Sequence, residues 1–228
     1  MKYLLAIILT SITFAQVYDV KIWGIPVGNA RFEHVGDNEI ELNLRIHEAV
    51  KPIYPVKINY YSKYNNSDHT IINVEKVVDQ GNNSFEYKIE YDNGTAIYNG
   101  KDTISINSST YSFLSLIDKI VRAPIDSVDT KWFDMENEGV LYKARPLWND
   151  STTITIDDKE YFCDNYRLDM RVVDDSNKLF EETDYFNELF FDINSVRQLW
   201  VENWQKQRRL VKIKLKNTFL NLEITIRD

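Results

Sequence analysis

The chain has 228 residues, of which 43% are hydrophobic and 27% are charged, and its formal net charge is −8. This composition is that of a folded globular protein, and the few glycines (7) and prolines (5) argue against a disordered chain. An acidic chain repels phosphate backbones, so we expect no nucleic-acid partner.

The N-terminus has the three parts of a secretory signal peptide. Lys2 is positively charged, residues 3–14 form a short, mostly apolar stretch, and Ala15 is a small residue at the expected cleavage site. The apolar stretch is much shorter than the ~20 residues that cross a bilayer, so no transmembrane span is expected. The sequence therefore predicts a signal peptide over 1–15, one β-rich domain over 16–228, and export to the periplasm or the extracellular space.

A glycine-rich and proline-containing segment follows the first alternating run. Gly24 and Gly28 flank Ile25-Pro26-Val27. Glycine tolerates positive φ, while proline fixes φ and removes a hydrogen-bond donor. This combination predicts a tight, bulged hairpin near the start of the domain.

Alternation of apolar and polar residues dominates the next segments. In residues 39–48, Ile40, Leu42, Leu44 and Ile46 alternate with polar residues, which places four aliphatic side chains on one face of a strand. The same period of two recurs in residues 56–60, 85–91, 166–172, 211–215 and 220–226. Turn-forming residues separate these runs, and Asn93-Gly94 is a strong hairpin signal. The short connections predict antiparallel hairpins and meanders.

Residues 109–122 break the alternation with apolar residues at helical spacing. Ser109 is the predicted N-cap, and Ala123-Pro124 is the predicted end of the helix. The predicted fold class is therefore all-β and mainly antiparallel. We expect a curved, barrel-like sheet with one amphipathic helix, and the alternative is a β-sandwich.

The sequence contains no pattern that predicts catalysis or metal binding. The histidines His34, His47 and His69 do not stand at metal-ligand spacing, so no zinc site is predicted. The nucleophile motif Gly-x-Ser-x-Gly is absent from the sequence, and we predict no catalytic residue and no cofactor. The single cysteine, Cys163, is predicted to be a small buried hydrophobic residue.

Aromatic residues are abundant, with 14 tyrosines, 11 phenylalanines and 5 tryptophans. A curved sheet lined by aromatic side chains can hold a lipid, polyprenyl or glycan ligand, although the same residues can simply pack in the core. A basic patch at Lys206, Arg208 and Arg209 is expected either to meet an anionic head group or to balance nearby acids. The predicted ligand-binding residues are Trp23, Tyr54, Tyr60, Trp148 and Trp200.

Three stretches together resemble a family of exported bacterial proteins, the domain of unknown function 3108. The first is residues 18–30 (YDVKIWGIPVGNA), and the second is the predicted helix that starts with residues 113–116 (FLSL) and ends in Val121-Arg122. The third, near the end of the chain, consists of residues 199–201 (LWV), 208–213 (RRLVKI) and 219–222 (FLNL). The resemblance implies an envelope location and a β-rich fold, and it supplies no catalytic residue. Leu210 stands where the family has proline, so the register of the strands after Asp192 is left open.

Three functions follow as hypotheses, in this order. The first is a non-catalytic envelope protein that binds an apolar or amphipathic ligand such as a lipid. The second is a structural or assembly partner of other envelope proteins, which docks through sheet edges or an aromatic patch. The third is a hydrolase whose site has no sequence signature.

Overall fold

The computed structural model describes residues 15–48, 55–180, 183–204 and 207–228. The described part contains three helices, which are α1 (Phe113–Arg122), α2 (Ile125–Val128) and α3 (Tyr185–Phe191). Its strands are β1 (Ala15–Ile22), β2 (Ile25–Gly36), β3 (Glu39–Ile46), β4 (Val56–Tyr64), β5 (Ile71–Gln80), β6 (Asn83–Asp92), β7 (Thr95–Tyr98), β8 (Asp102–Ser105), β9 (Thr110–Tyr111), β10 (Phe133–Asn137), β11 (Val140–Ile156), β12 (Lys159–Asp174), β13 (Val196–Trp204), β14 (Gln207–Lys216) and β15 (Asn221–Arg227).

These strands form one continuous sheet in the order β8-β7-β6-β5-β4-β3-β2-β1-β15-β14-β13-β12-β11-β10-β9. The sheet consists of a first meander, β1 to β8, and a second half, β9 to β15, and the antiparallel pair β1–β15 joins them. Only the pair β9–β10 is parallel among the strand pairs of the described residues. The prediction of a mainly antiparallel sheet is confirmed. The β-sandwich alternative is wrong, because the strands belong to one hydrogen-bonded sheet rather than to two packed sheets.

The two edge strands of this sheet are close neighbours in the sequence. β8 ends at Ser105 and β9 begins at Thr110, so five peptide units link opposite edges. Five units span at most about 18 Å, and the sheet therefore has to curl until its edges approach each other. This is the predicted barrel-like curvature, with a seam between β8 and β9 that no backbone ladder of the described residues closes.

The predicted hairpin at the start of the domain is confirmed, and its turn ends two residues before Pro26. Trp23 (φ 49°) and Gly24 (φ 79°) form the two-residue turn between β1 and β2. Residues 25–27 already belong to β2, whose pairing with β1 contains one irregularity. A Cβ atom at Gly28 would overlap with the carbonyl oxygen of Arg45 on β3, so this glycine allows the two strands to approach.

Helix α1 lies inside the curled sheet. The helix begins at Phe113 with Ser112 as its N-cap, in a capping box with Ser115, so the predicted N-cap Ser109 is wrong by three residues. Ser109 instead bonds through its backbone N–H to the side chain of Asn107 in a turn before β9. The end of the helix before Ala123 is confirmed. Because α1 contacts β3, β4 and β14, it packs against both halves of the sheet and fills the interior.

Helix α3 is a second buried helix that the sequence analysis did not predict. Asp184 is its N-cap, and its side chain accepts a hydrogen bond from the backbone N–H of Asn187 at 2.9 Å. The rings of Phe186 and Phe190 lie 5.8 and 5.4 Å from the ring of Phe113 on α1, so the two helices share an aromatic core. Arg197 donates hydrogen bonds to carbonyl groups at the C-terminal end of α3.

The turn between β10 and β11 contains a glycine that another segment of the chain approaches closely. Gly139 has a φ of 89°, and a Cβ atom there would overlap with the carbonyl oxygen of Asn177. Gly81 also has positive φ (61°), but a Cβ atom would contact nothing within 4 Å.

We expect Gly139→Ala to lower the free energy of unfolding by ~3 kcal/mol or more, since left-handed strain of about 1–2 kcal/mol adds to a backbone clash. Gly81→Ala is the matched control, and its free energy of unfolding should fall only by the cost of the left-handed strain, about 1–2 kcal/mol. Urea denaturation of both variants measures the difference. Equal losses would show that the approach of the 177–179 segment to Gly139 does not contribute to stability.

Candidate functional site

A buried lysine stands at the centre of an internal polar cluster. Lys76 on β5 is 0% exposed, and its ammonium group donates to Glu138 and lies 2.6 Å from a carboxylate oxygen of Asp184. Tyr60 on β4 donates a hydrogen bond to the same Asp184 oxygen at 2.5 Å. Thr183 lies 3.2 Å from the ammonium nitrogen. We call these residues the Lys76 cluster: Tyr60, Lys76, Glu138, Thr183 and Asp184.

The Lys76 cluster joins the two halves of the sheet. Tyr60 and Lys76 come from the first meander, whereas Glu138 comes from the β10–β11 turn and Asp184 caps α3. A buried ammonium ion is stable only when opposite charges and hydrogen bonds replace its lost hydration. Aromatic rings complete the surroundings of Lys76, at 5.2 to 5.5 Å from its nitrogen, and belong to Tyr60, Phe85 and Tyr87.

Glu136 extends this network to the open seam of the sheet. It is 3% exposed and accepts hydrogen bonds from the hydroxyl groups of Tyr91 and Tyr98 on β6 and β7, and from the backbone N–H of Gly139 at 2.8 Å. Burial raises the pKa of Glu136 and outweighs these hydrogen bonds. Burial and the neighbouring Glu136 raise the pKa of both tyrosines well above 10, so both hydroxyls stay protonated donors. Side-chain hydrogen bonds therefore connect β6 and β7, near one edge of the sheet, with β10, next to the other edge.

The interior leaves little room for a ligand. A cavity of about 20 Å³ lies beside Tyr60, Tyr87, Glu136 and Glu138, and another of about 10 Å³ lies between α1 and the sheet. The first is large enough for about one water molecule. Helices and aromatic side chains thus occupy the space that an empty barrel would offer to a ligand.

A larger groove opens at the end of the domain where α3 lies. Its volume is about 540 Å³, which is in the range of small-molecule sites. The groove runs between α3, the start of β11 and the β14–β15 turn. Its apolar lining consists of Val140, Tyr142, Leu189, Phe191, Phe219 and Leu220, and its polar lining includes Glu138 and Thr183 of the Lys76 cluster.

Asn187 is the most informative polar residue of this groove. It is 2% exposed and donates a hydrogen bond from its amide nitrogen to Thr183 at 2.8 Å. Its amide oxygen is buried and has no hydrogen-bond partner among the described residues. A buried acceptor without a partner costs about 1–3 kcal/mol, so a donor from a bound molecule would relieve this cost.

The charges around the groove favour a donor or a cation over an anion. Glu138, Glu188 and Asp192 line it on the acidic side, and Lys178 is the basic residue of the lining. Glu138 is engaged with Lys76, which leaves Glu188 and Asp192 against one lysine at the rim. An anionic head group would therefore meet a negative potential in the groove.

A second polar cluster surrounds Asp118 on α1. Asp118 is 1% exposed and lies within hydrogen-bond distance of His34 (2.9 Å), His69 (3.3 Å), Tyr64 (2.8 Å) and Arg122 (2.9 Å). Burial raises the pKa of Asp118, but its hydrogen bonds with His34 and His69 and the charge of Arg122 outweigh burial and hold the pKa well below its usual range. The two histidines, for which the sequence analysis predicted no metal site, thus share one buried carboxylate.

The structure does not bring the predicted ligand-binding residues together. Tyr60 lies in the Lys76 cluster, Trp23 is 63% exposed at the β1–β2 turn, and Trp148 is exposed on β11. Trp200 is buried on β13, with the ammonium group of Lys212 5.3 Å from its ring. Tyr54 lies outside the described residues.

The basic patch balances acids. Arg208 donates to Asp164 at 2.8 Å and to carbonyl groups at the C-terminal end of α1, where a positive charge is favourable. Arg209 donates to Glu202 at 2.6 Å. Lys206 lies outside the described residues. Cys163 is fully buried, as predicted, and burial raises the pKa of its thiol to about 12.

In the described ranges, no group of three or more His, Cys, Asp and Glu side chains is arranged to hold a metal ion. Across those ranges, the helices are all too short or too polar to cross a membrane.

Comparison with known proteins supports the fold. No protein-family model matches the chain, so membership of the domain of unknown function 3108 is not supported by a family match, and no curated protein matches either. The chain is similar to the crystal structure of a beta-barrel-like protein of domain of unknown function DUF1849 from Brucella abortus. The TM-score is 0.57 at 5% sequence identity, and the match covers 94% of this chain and 95% of that chain. At this identity, the match shows a shared barrel-like fold and nothing about a ligand.

The Lys76 cluster predicts a large loss of stability when its cation is removed. Lys76→Met leaves Glu138 and Asp184 buried without their counter-charge, and we expect a loss of ~3–5 kcal/mol in urea denaturation. The double variant Lys76→Met/Glu138→Gln removes one of the stranded charges and should recover part of this loss. An equally unstable double variant would contradict a role for charge in the cluster.

Asp118 predicts a pH-dependent contribution to stability. We expect Asp118→Asn to lower the free energy of unfolding by about 3 kcal/mol at pH 7, because it removes the charge that four side chains share. The native pKa of Asp118 lies below its unfolded value of about 3.9, so the difference from the parent chain is complete above that pH and shrinks as the pH falls below it.

Urea denaturation at pH 7 and pH 3 measures this change, with Asp126→Asn on the exposed face of α2 as the control. The control should stay within ~0.5 kcal/mol of the parent chain at both pH values. A difference for Asp118→Asn that is the same at both pH values would contradict the proposed charge sharing.

Proposed function

We propose that this domain is a non-catalytic binding module for an amphipathic molecule, which occupies the groove between α3 and the β14–β15 turn. The observation that carries the proposal is the buried, unpartnered amide oxygen of Asn187 at a groove of about 540 Å³. The apolar wall suits a hydrocarbon chain, and the polar lining at Glu138, Thr183 and Asn187 suits its head group. The filled interior supports a site at the groove rather than inside the sheet.

The head group that fits this site is a hydrogen-bond donor or a cation. Asn187 offers an acceptor, and the rim carries the acidic residues Glu188 and Asp192. An ammonium or hydroxyl head group satisfies these groups, whereas a carboxylate would be repelled. The proposed ligand is therefore an amphipathic molecule of moderate size with a donor at one end.

A hydrolytic role has less support than binding. His34 and His69 are oriented by Asp118, as a general base would be, but among the described residues neither hydrogen-bonds to a serine, threonine or cysteine side chain. The Asp118 cluster also lies on the α1 side of the interior, and it lines neither the groove at α3 nor the two grooves beside β4, of about 610 and 220 Å³. We therefore assign the cluster a structural role.

We also propose that residues 1–15 direct export and that the chain works in a bacterial envelope, as a divergent relative of the domain of unknown function 3108. The motif in residues 18–30 supports the second point. Cleavage after Ala15 would leave the β1–β15 pairing intact, since that pairing begins at Val17. Intact-mass measurement of the protein purified from its host tests the cleavage site.

Two ligands of equal chain length test the groove. We expect dodecylamine, below its critical micelle concentration, to bind at least tenfold more tightly than dodecanoate in isothermal titration calorimetry. Asn187→Leu should weaken dodecylamine binding at least fivefold by removing the acceptor.

Asn59→Leu is the matched control for this experiment. Asn59 also has a buried amide oxygen without a partner among the described residues, but it lies on the outer face of β4, away from the groove. The dissociation constant of Asn59→Leu for dodecylamine should stay within twofold of that of the parent chain. Equal binding of dodecanoate, or equal effects of the two substitutions, would contradict the proposed site.

A further inference from the structure

Large apolar side chains are exposed together at one end of the domain. They come from the β1–β2 turn and the first residue of β2, from the β14–β15 turn, and from the segment between α3 and β13 together with the first residue of β13. Their exposed fractions are 63% for Trp23, 64% for Ile25, 81% for Phe219, 60% for Ile193 and 49% for Val196. We call these five residues the apolar row.

The apolar row is contiguous because its members sit on neighbouring strands. The order β2-β1-β15-β14-β13 places the turns side by side. The backbone N–H of Trp23 bonds to the carbonyl of Asn221 at 2.9 Å, and Val196 stands opposite Lys216 in the β13–β14 pairing. With strands about 4.8 Å apart, the row spans roughly 20 Å.

The backbone at these turns is already hydrogen-bonded. Trp23 bonds to Asn221, and the N–H groups of Phe219 and Leu220 bond to the side chain of Asn217 at 2.9 and 2.8 Å. Loop tips can enter an apolar medium only when their backbone groups have such partners. A tryptophan at the tip is also typical of the boundary between lipid head groups and acyl chains.

A basic stripe leads from the outer face of the sheet to the apolar row. Lys212, Lys214 and Lys216 alternate along β14 toward the β14–β15 turn. Lys21 stands opposite Glu223 in the adjacent β1–β15 pairing. Glu223 is the carboxylate among them, with Lys212 and Lys214 at 2.8 and 3.2 Å. Four lysines against one glutamate leave three positive charges in a chain whose net charge is −8.

We propose that this end of the domain docks on the surface of an anionic lipid bilayer. The apolar row enters the boundary between head groups and acyl chains, and the basic stripe faces the anionic head groups. Charge complementarity favours a bilayer as the occupant, because the lysines lie beside the apolar side chains that would enter it. The inference does not rest on the groove, although Phe219 belongs to both surfaces.

Vesicle flotation with the mature protein, residues 16–228, tests the proposal without a contribution from the apolar stretch of residues 3–14. We use vesicles of phosphatidylcholine with 30% phosphatidylglycerol and compare them with pure phosphatidylcholine. Trp23→Ser/Phe219→Ser should lower the partition coefficient on the anionic vesicles at least tenfold. Lys216→Glu should lower it at least threefold on the anionic vesicles and leave binding to the neutral ones unchanged.

Phe162→Ser is the matched control, because Phe162 is 60% exposed on β12 near the β11–β12 turn, at the opposite end of the sheet. This variant should bind within twofold of the parent chain, and so should Asn187→Leu, which alters the groove alone. As a second measurement, brominated lipids should quench tryptophan fluorescence in the parent chain and quench it less in Trp23→Phe.

Three results would overturn the proposal. One is the absence of binding to either vesicle, and another is equal binding of the parent chain and Trp23→Ser/Phe219→Ser. The third is a dimer of the parent chain in analytical ultracentrifugation that this double variant abolishes, which would assign the apolar row to a second copy of the chain.

Discussion

The buried ammonium group of Lys76 is the constraint on which the rest of the structure depends. The sheet has two edges, and in the part of the chain that the structure describes the short strand β9 pairs only with β10, so no backbone ladder there closes the sheet. A lysine inside the first meander is stable only if carboxylates reach it from the other half. Glu138 and Asp184 do so. Satisfying one charge thus fixes the position of the β10–β11 turn and of the start of α3, and it curls the sheet around its helices.

The groove is a consequence of this closure. One oxygen of the Asp184 carboxylate binds Lys76, and the other accepts the N–H of Asn187 and so begins α3. The helix therefore starts at the point where the charge of Lys76 is neutralised, and its outer side becomes a wall of the groove. The polar floor is the outer surface of the Lys76 cluster, since Glu138 and Thr183 belong to both. The proposed ligand site and the closure of the sheet share the same residues, so we expect a substitution in the cluster to affect both.

The period-two strands and helix α1 could be predicted because burial of one face leaves a pattern in neighbouring residues. The polar clusters could not be predicted, because their members are far apart in the sequence. Lys76 is 62 residues from Glu138, and His34 is 84 residues from Asp118. Lys76 did carry a signal, since it stands two residues before Val78 in the inward phase of β5. Helix α3 has seven residues, which is shorter than the window in which a helical period can be recognised in a sequence. The register after Asp192 was unpredictable because the β13–β14 pairing shifts between Trp200 and Val201, which a pattern of alternation does not locate.

The charges at the α3 end of the domain are divided between two surfaces. The groove rim carries Glu188 and Asp192, whereas the outer face of β14 carries Lys212, Lys214 and Lys216. If this end rests on an anionic bilayer, the stripe attracts the abundant anionic head groups while the groove repels them. Positive charge on the basic stripe then favours contact with the membrane, whereas negative charge at the groove rim favours a cationic or donor ligand. The domain can lie on a surface rich in anionic lipid without its groove filling with that lipid, which leaves the groove open to a scarcer molecule with a donor or cationic head group.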